Sequence, residues 1–291
     1  TGASDAEAAL LLIDAKEGVQ EQSRRHGYIL KLLGLTQVAV VINKMDLVGY
    51  DEKVYSKIKT EYTNFLESLG VEAREFIPVS AKLGVNIAEL KDEMPWYKGP
   101  TVLNMLDQFE KKPRPDHLPF RFPVQDVYKF DERRIIAGRV ESGKLKVGDR
   151  VIFSPSSKQA VVKTIEAWSV PEQINVATSS ESIGFTLDEQ IFVERGDVCT
   201  LMDELPIVST TFDANVFWMG KRNLEKGRKF TIKLNTQEVE CEVHEFKKAI
   251  DASTLETLSN QDYIEKNEVA ELTLKTRSPV AFDLFGSIAS T

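Results

Sequence analysis

The chain has 291 residues, a net charge of −8 from 37 Lys plus Arg against 45 Asp plus Glu, a 42% hydrophobic fraction and two cysteines. Such a length suits two domains, or three small ones, and the apolar and charged fractions are those of globular rather than disordered protein. A disulfide scaffold is excluded, a cation excess for non-specific nucleic-acid binding is missing, and no apolar run nears the ~20 residues that span a bilayer. The opening residues Thr1–Asp5 show neither a basic n-region nor an apolar h-region, so no secretory leader and a cytoplasmic location are expected.

From residue 8 to about 110, apolar runs alternate with amphipathic stretches. Ala8–Asp14 is a continuous apolar run ending in an acid, Gln37–Asn43 is another, and Ala73–Ser80 is a third, less apolar one. Between them, Glu21–Leu33 and Asp51–Leu69 are predicted helices. In the second, Val54, Tyr55, Ile58, Tyr62, Phe65, Leu66 and Leu69 form one apolar stripe, with Asp51 as N-cap and Gly70 just past the end. Solid apolar strands between helices predict a parallel sheet covered on both faces.

A further helix is expected at Thr101–Phe109, followed by the charged, proline-spaced linker Lys111–Asp116. From Phe120 the period becomes two, in Phe120, Phe122 and Val124, then Ile135, Ala137 and Arg139, then Leu145 and Val147, then Val151 and Phe153. Turns recur at Glu141–Lys144, Gly148-Asp149 and Ser154–Ser157, which predicts a barrel or sandwich of short strands. A second break falls near Asp203–Val208, and residues 212–219, 228–234, 237–244 and 268–275 are predicted strands of a second all-β stretch. The expected domains are 1–110 (α/β), 111–204 and 205–291 (both all-β).

Asn43-Lys44-Met45-Asp46 sits at the carboxyl end of a buried strand, where open α/β sheets place ligands. An Asp there accepts two hydrogen bonds from the N1–H and N2–H₂ edge of guanine, a donor pair that adenine lacks. The Lys44 stem can cover the flat base face, and the Asn43 amide can brace the loop or reach N7. Ser80-Ala81-Lys82, at the end of the next strand, is placed for a backbone N–H to meet guanine O6. An isolated N-K-x-D tetrapeptide also fits a polar strand-to-helix turn. The second loop favours guanine binding.

Thr1–Ser4, Gly18–His26 and Asn43–Asp46 together resemble the middle of translation-type GTPases, a superfamily that includes elongation factor Tu. Met94–Pro100 and Phe122–Val127 fit the same superfamily. Phe212–Met219, Ile250–Glu256 and Asn267–Leu272 resemble the third domain of the GTPase subunit of sulfate adenylyltransferase. The resemblance implies the C-terminal half of a P-loop GTPase α/β domain followed by two β-barrel domains. The P-loop, switch I threonine and Asp-x-Pro-Gly-His of switch II would precede Thr1, and the family adds another strand beyond Thr291. It further implies GTP with Mg²⁺, the metal ligands lying in that preceding part, so that no catalytic residue and no metal ligand is expected in 1–291. The base contacts fall to Asn43, Lys44, Asp46, Ser80, Ala81 and Lys82. The implied partner is the catalytic small subunit, which joins ATP and sulfate to make adenylyl sulfate and pyrophosphate, driven by GTP hydrolysis. A translation factor carrying aminoacyl-tRNA shares the first two domains and is the alternative, disfavoured by the acidic balance and the third-domain pattern. A folded scaffold without activity of its own is the third reading.

Several features invite other readings. Gly138–Lys144 has the Gly-x₄-Gly-Lys spacing of a P-loop, but Leu145 follows where a hydroxyl is needed, and the surroundings alternate as strands. A β-hairpin turn is expected there. His26 lies within a predicted helix, and His117 and His244 lack partners at metal-ligand spacing. Cys199 and Cys241 read as small apolar fillers. Ser4–Glu7 matches a capping box that the following strand makes accidental. Trp96 and Tyr97 are expected at a domain junction. Phe217-Trp218-Met219 must turn at least one large side chain away from its own core.

Overall fold

A computed structural model describes residues 6–129, 133–167, 174–258 and 262–288. The Thr1–Ser4 motif, the first half of the Ser4–Glu7 box and the Ser290–Thr291 end lie outside those residues. Two compact units are formed, one from Thr1–Lys112, Asn215–Leu224 and Lys247–Glu271, the other from Pro113–Ala214, Glu225–Phe246 and Leu272–Thr291.

In the first unit, β1 (Ala8–Asp14), β2 (Gln37–Asn43) and β3 (Ala73–Pro78) run parallel in the order β1-β2-β3. Helix α1 (Glu21–Leu32) connects the first pair and α2 (Glu52–Ser68) the second. Burial on both faces holds for β2, where Val38–Ile42 are all buried, as a central strand requires. It does not hold for β1, an edge strand that buries Leu11 and Ile13 but leaves Leu12 62% exposed.

The predicted limits of α2 are met by their expected causes. The Asp51 carboxylate accepts from the Lys53 amide at 2.7 Å, and Gly70 closes the helix in left-handed backbone (φ 71°). Its stripe of Tyr55, Ile58, Tyr62, Phe65 and Leu66 is buried. Where α1 meets this stripe it carries Gly27, and a Cβ there would lie 3.0 Å from Tyr62 Oη and 3.1 Å from Leu66 Cδ2. A glycine that weakens a helix interior therefore lets two helices approach closely. Tyr62 completes the contact by donating its hydroxyl to the Ser23 carbonyl at 2.6 Å.

The aromatic pair after Pro95 packs against other aromatic residues of this unit. Tyr97 is buried, Trp96 lies 5.1 Å from the Tyr55 ring, and the Trp96 indole donates to the Tyr50 carbonyl at 3.1 Å. Helix α3 (Val102–Asp107) follows, capped by the Thr101 hydroxyl, which accepts from the Asn104 amide.

The second unit contains strands β4 (Phe122–Lys129), β5 (Arg134–Arg139), β6 (Lys144–Lys146), β7 (Arg150–Ser154), β8 (Lys158–Glu166), β9 (Val176–Thr178), β10 (Ser182–Leu187) and β11 (Val198–Leu201). A closed barrel forms in the order β10-β5-β4-β11-β7-β8, with β6 pairing β9 beside it. Phe120, Phe122, Phe153 and Phe185 fill its interior, the Phe122 and Phe185 rings 5.1 Å apart. In β5 the core residues have the opposite parity to the predicted face: Ile136 joins the barrel core, and Gly138 is buried beside the Phe122 ring.

The final stretch forms β12 (Ile207–Phe217), β13 (Leu224–Glu225), β14 (Lys229–Leu234), β15 (Gln237–Asp251), β16 (Tyr263–Ile264) and β17 (Glu268–Phe282). These make a four-stranded sheet in the order β12-β17-β15-β14 and a two-stranded ribbon of β13 with β16. β12, β15 and β17 run longer than predicted, and β14 is one residue shorter. Ala252 and Val269 join the core of the first unit, and Phe217 and Ile250 pack against it. Met219 is the residue turned outward, at 72% exposure.

Candidate functional site

The parallel sheet of the first unit delivers two loops to one strand end. In the first, Asn43 closes β2 and Lys44 turns the chain through left-handed backbone (φ 64°) into a 3₁₀ turn over Met45–Val48. Met45 is fully buried and donates its amide to the Val79 carbonyl at 3.1 Å. That anchor fixes the buried side of the turn.

The second loop starts where β3 ends. Ser80 is fully buried, and its backbone exchanges hydrogen bonds with Val85 across a tight loop that leaves Ala81–Gly84 exposed. Two side-chain bonds stitch the loops together. The Ser80 hydroxyl donates to Asp46 Oδ1 at 2.6 Å, and the Ala81 amide donates to Asn43 Oδ1 at 3.0 Å. The same Asn43 oxygen accepts from the Lys44 amide at 2.7 Å. Five of the six predicted base-site residues are thus joined in one assembly, with Lys44 reaching away to Asp14. Lys82 lies exposed on the second loop. The Ala81 amide, expected to meet a base carbonyl, is here engaged by Asn43.

Sequence reasoning missed three supporting residues. Asp14, at the end of β1, forms an ion pair with the Lys44 ammonium and accepts from the amides of Lys16 at 2.9 Å and Glu17 at 3.4 Å. Burial would raise its carboxyl, but the Lys44 side chain and those amides outweigh it and hold the group below its ordinary value. Lys44 is raised in turn, by Asp14 above all. Asn86, buried and in left-handed backbone (φ 57°), donates to the Pro78 carbonyl and accepts from the Lys91 amide, bracing the second loop from below. Tyr50 ties the first loop to Trp96. The acid closing the first apolar run was the one visible signal among these.

The P-loop look-alike Gly138–Lys144 belongs to the barrel unit and has a different explanation. A Cβ on Gly138 would lie 2.5 Å from the Pro123 carbonyl oxygen, and one on Gly143 2.5 Å from Phe120 Cα. Gly138 makes room for the Phe122 ring, and Gly143 for the backbone of Phe120 and Leu118. The segment is not the expected hairpin turn, because β5 pairs with β4 and β10 whereas β6 pairs with β9. A cavity of about 190 Å³ lined in part by Arg134, Thr164 and Thr186 also belongs to the barrel, and no residue of the two loops lines it.

Residues 1–111 match the family described as Elongation factor Tu GTP binding domain, and residues 211–291 the family described as GTP-eEF1A C-terminal domain-like. Elongation factor 1-alpha of Thermoplasma acidophilum is 36% identical, over 99% of this chain and 70% of its own length. The chain belongs to the elongation factor Tu-like GTPase family. Within that family, sulfate adenylyltransferase subunit 1 of Aliarcobacter butzleri is 37% identical over 98% of this chain, and its counterpart in Shewanella oneidensis 34% identical over 100%. The chain spans 61% of the length of each of these two relatives. A crystal structure of sup35 complexed with GMPPNP matches with a TM-score of 0.56 at 25% identity, covering 99% of this chain and 74% of that one. In this elongation factor Tu-like chain, His26 lies exposed on α1, and both cysteines are buried fillers. Among the described residues no three His, Cys, Asp or Glu side chains gather to hold a metal, and no helix is long and apolar enough to cross a membrane.

Proposed function

We propose that this chain is the guanine-reading and barrel portion of a GTP-binding sulfate adenylyltransferase subunit. In this reading it couples GTP hydrolysis to the joining of ATP and sulfate into adenylyl sulfate, as the cytoplasmic partner of a catalytic small subunit. The observation carrying it is the stitched pair of loops, taken with the identity to subunit 1 relatives over nearly the whole chain. Asp46 reads the N1–H and N2–H₂ edge with the carboxylate lone pairs that Ser80 leaves open, since a carboxylate offers about four acceptor sites. The Lys44 stem covers one face of the base, Asn43 locks the two loops in register, and the Ser80-Ala81-Lys82 backbone borders O6. Mg²⁺ would accompany the nucleotide phosphates; its chemistry is charge neutralisation there, and we assign it no ligand among these residues. The domain division 1–110, 111–204 and 205–291 belongs to the same proposal, supported by family matches that end at 111 and resume at 211.

A second reading, a translation GTPase that delivers aminoacyl-tRNA, is favoured by the elongation factor 1-alpha relative. Affinity purification of the tagged chain from its own cells separates the two. An adenylyltransferase-like second subunit in stoichiometric amount is the expected result. Recovery of aminoacyl-tRNA instead would establish the second reading.

A further inference from the structure

The base-reading roles leave one contact unexplained, the ion pair between Lys44 and Asp14. We propose that Asp14 is a positioning residue of the base site, holding the Lys44 side chain across the face on which guanine stacks. The inference rests on the guanine reading proposed above.

The two partners differ in freedom. Lys44 is a long side chain, 52% exposed, on a left-handed turn residue, and such a chain has many rotamers to lose when it covers a base. Asp14 is 17% exposed and fixed on every side. It ends β1 in register with Asn43, its carboxylate accepts from the Lys16 and Glu17 amides, and its carbonyl accepts from the Gly18 amide at 2.8 Å. The Ala15 amide then donates to the Asn43 carbonyl at 2.8 Å, so the acid and the base reader share one strand end. Glu17 and Asp46 add attraction for the same ammonium without the contact that Asp14 makes.

The division of labour follows from this geometry. Asp46 discriminates between bases, and Asp14 lays out the lysine stem before a base arrives. Asp14 should therefore govern affinity and leave base preference alone.

The test is an NMR titration of the full chain with GDP and with XDP, read on the amides of Asn43, Met45 and Ala81. Asp14→Ala should weaken GDP about two- to fivefold, on the scale of a half-exposed ion pair, with the GDP-to-XDP ratio unchanged. Asp14→Glu should restore most of the loss. Lys44→Ala should weaken GDP comparably, and the double variant Asp14→Ala/Lys44→Ala should be no weaker than Lys44→Ala alone, the signature of action through the lysine. Unchanged GDP affinity in Asp14→Ala, or losses that add in the double variant, would overturn the positioning role while leaving the guanine reading intact. Failure of Asp46→Asn to move preference toward XDP would overturn the guanine reading and this inference with it.

Discussion

Asn43–Asp46 and Gly138–Lys144 both carry the spacing of nucleotide-binding motifs, yet their side chains are used in opposite ways. In the first, a buried methionine anchors the turn, and the polar side chains reach across to a second loop. In the second, the two glycines exist because Phe120 and Phe122 press against them. A motif is a pattern of residue types. What separates a site from a look-alike is whether hydrogen-bonding capacity remains after the fold's own needs are met.

The comparison breaks most visibly at Asp46. Asp46→Asn replaces an acceptor with a donor opposite the guanine 2-amino group, where xanthine carries a carbonyl, and preference for guanine over xanthine should fall by at least about a hundredfold. Competition between GTP and XTP measures it, and unchanged competition would remove Asp46 from base reading. The matching change in the look-alike is Gly143→Ala, which adds a Cβ against Phe120 Cα in left-handed backbone. It should cost the barrel about 2–3 kcal/mol in urea unfolding while leaving the guanine preference of the first unit unaltered. Loss of nucleotide binding in a fully folded Gly143→Ala protein would invert the assignment of the two stretches.

Smaller changes sharpen it. Asn43→Ala removes the acceptor shared by the Lys44 and Ala81 amides and should loosen the second loop by about 1 kcal/mol. Faster hydrogen exchange at the Ala81 amide, with exchange in β2 unchanged, is the expected reading. Acid gives the smallest effect. The folded-state pKa of Asp14 lies below its ordinary value, so its contribution is complete above the usual carboxylate range and fades as pH falls through the folded value. The Asp14–Lys44 link should persist unchanged from pH 8 to about pH 5 and weaken only below about pH 4, followed by the Asp14 carboxyl carbon shift.

Much of this was legible in the sequence, for reasons that differ by element. The limits of β1 and β2 follow from apolar runs closed by Asp14 and Asn43, and α2 is bounded by a capping acid and a left-handed glycine. The inward face of β5 is not legible because Ile135 and Ile136 compete on equal terms; Gly138 decides it through contact with a ring distant in sequence. β15 reads as ending near residue 244 because His244, Glu245, Lys247 and Lys248 interrupt its alternation, whereas the strand continues to Asp251. The base-site residues were visible as a tetrapeptide and a second loop. The roles of Asp14 and Asn86 are not legible, since their partners are set by parallel register and by backbone carbonyls, which spacing along the chain does not show.

The contact between Trp96 and Tyr50 gives the site an optical reporter. Tyr50 donates its amide to the Met45 carbonyl at 2.9 Å and accepts the Trp96 indole, which places a fluorophore one residue's backbone away from the base-reading turn. The chain has three tryptophans, so replacing Trp168 and Trp218 with phenylalanine leaves a single indole emitter. Its emission maximum and quenching would then report, in real time and without a label, each rearrangement of the Met45–Val48 turn as nucleotides enter and leave.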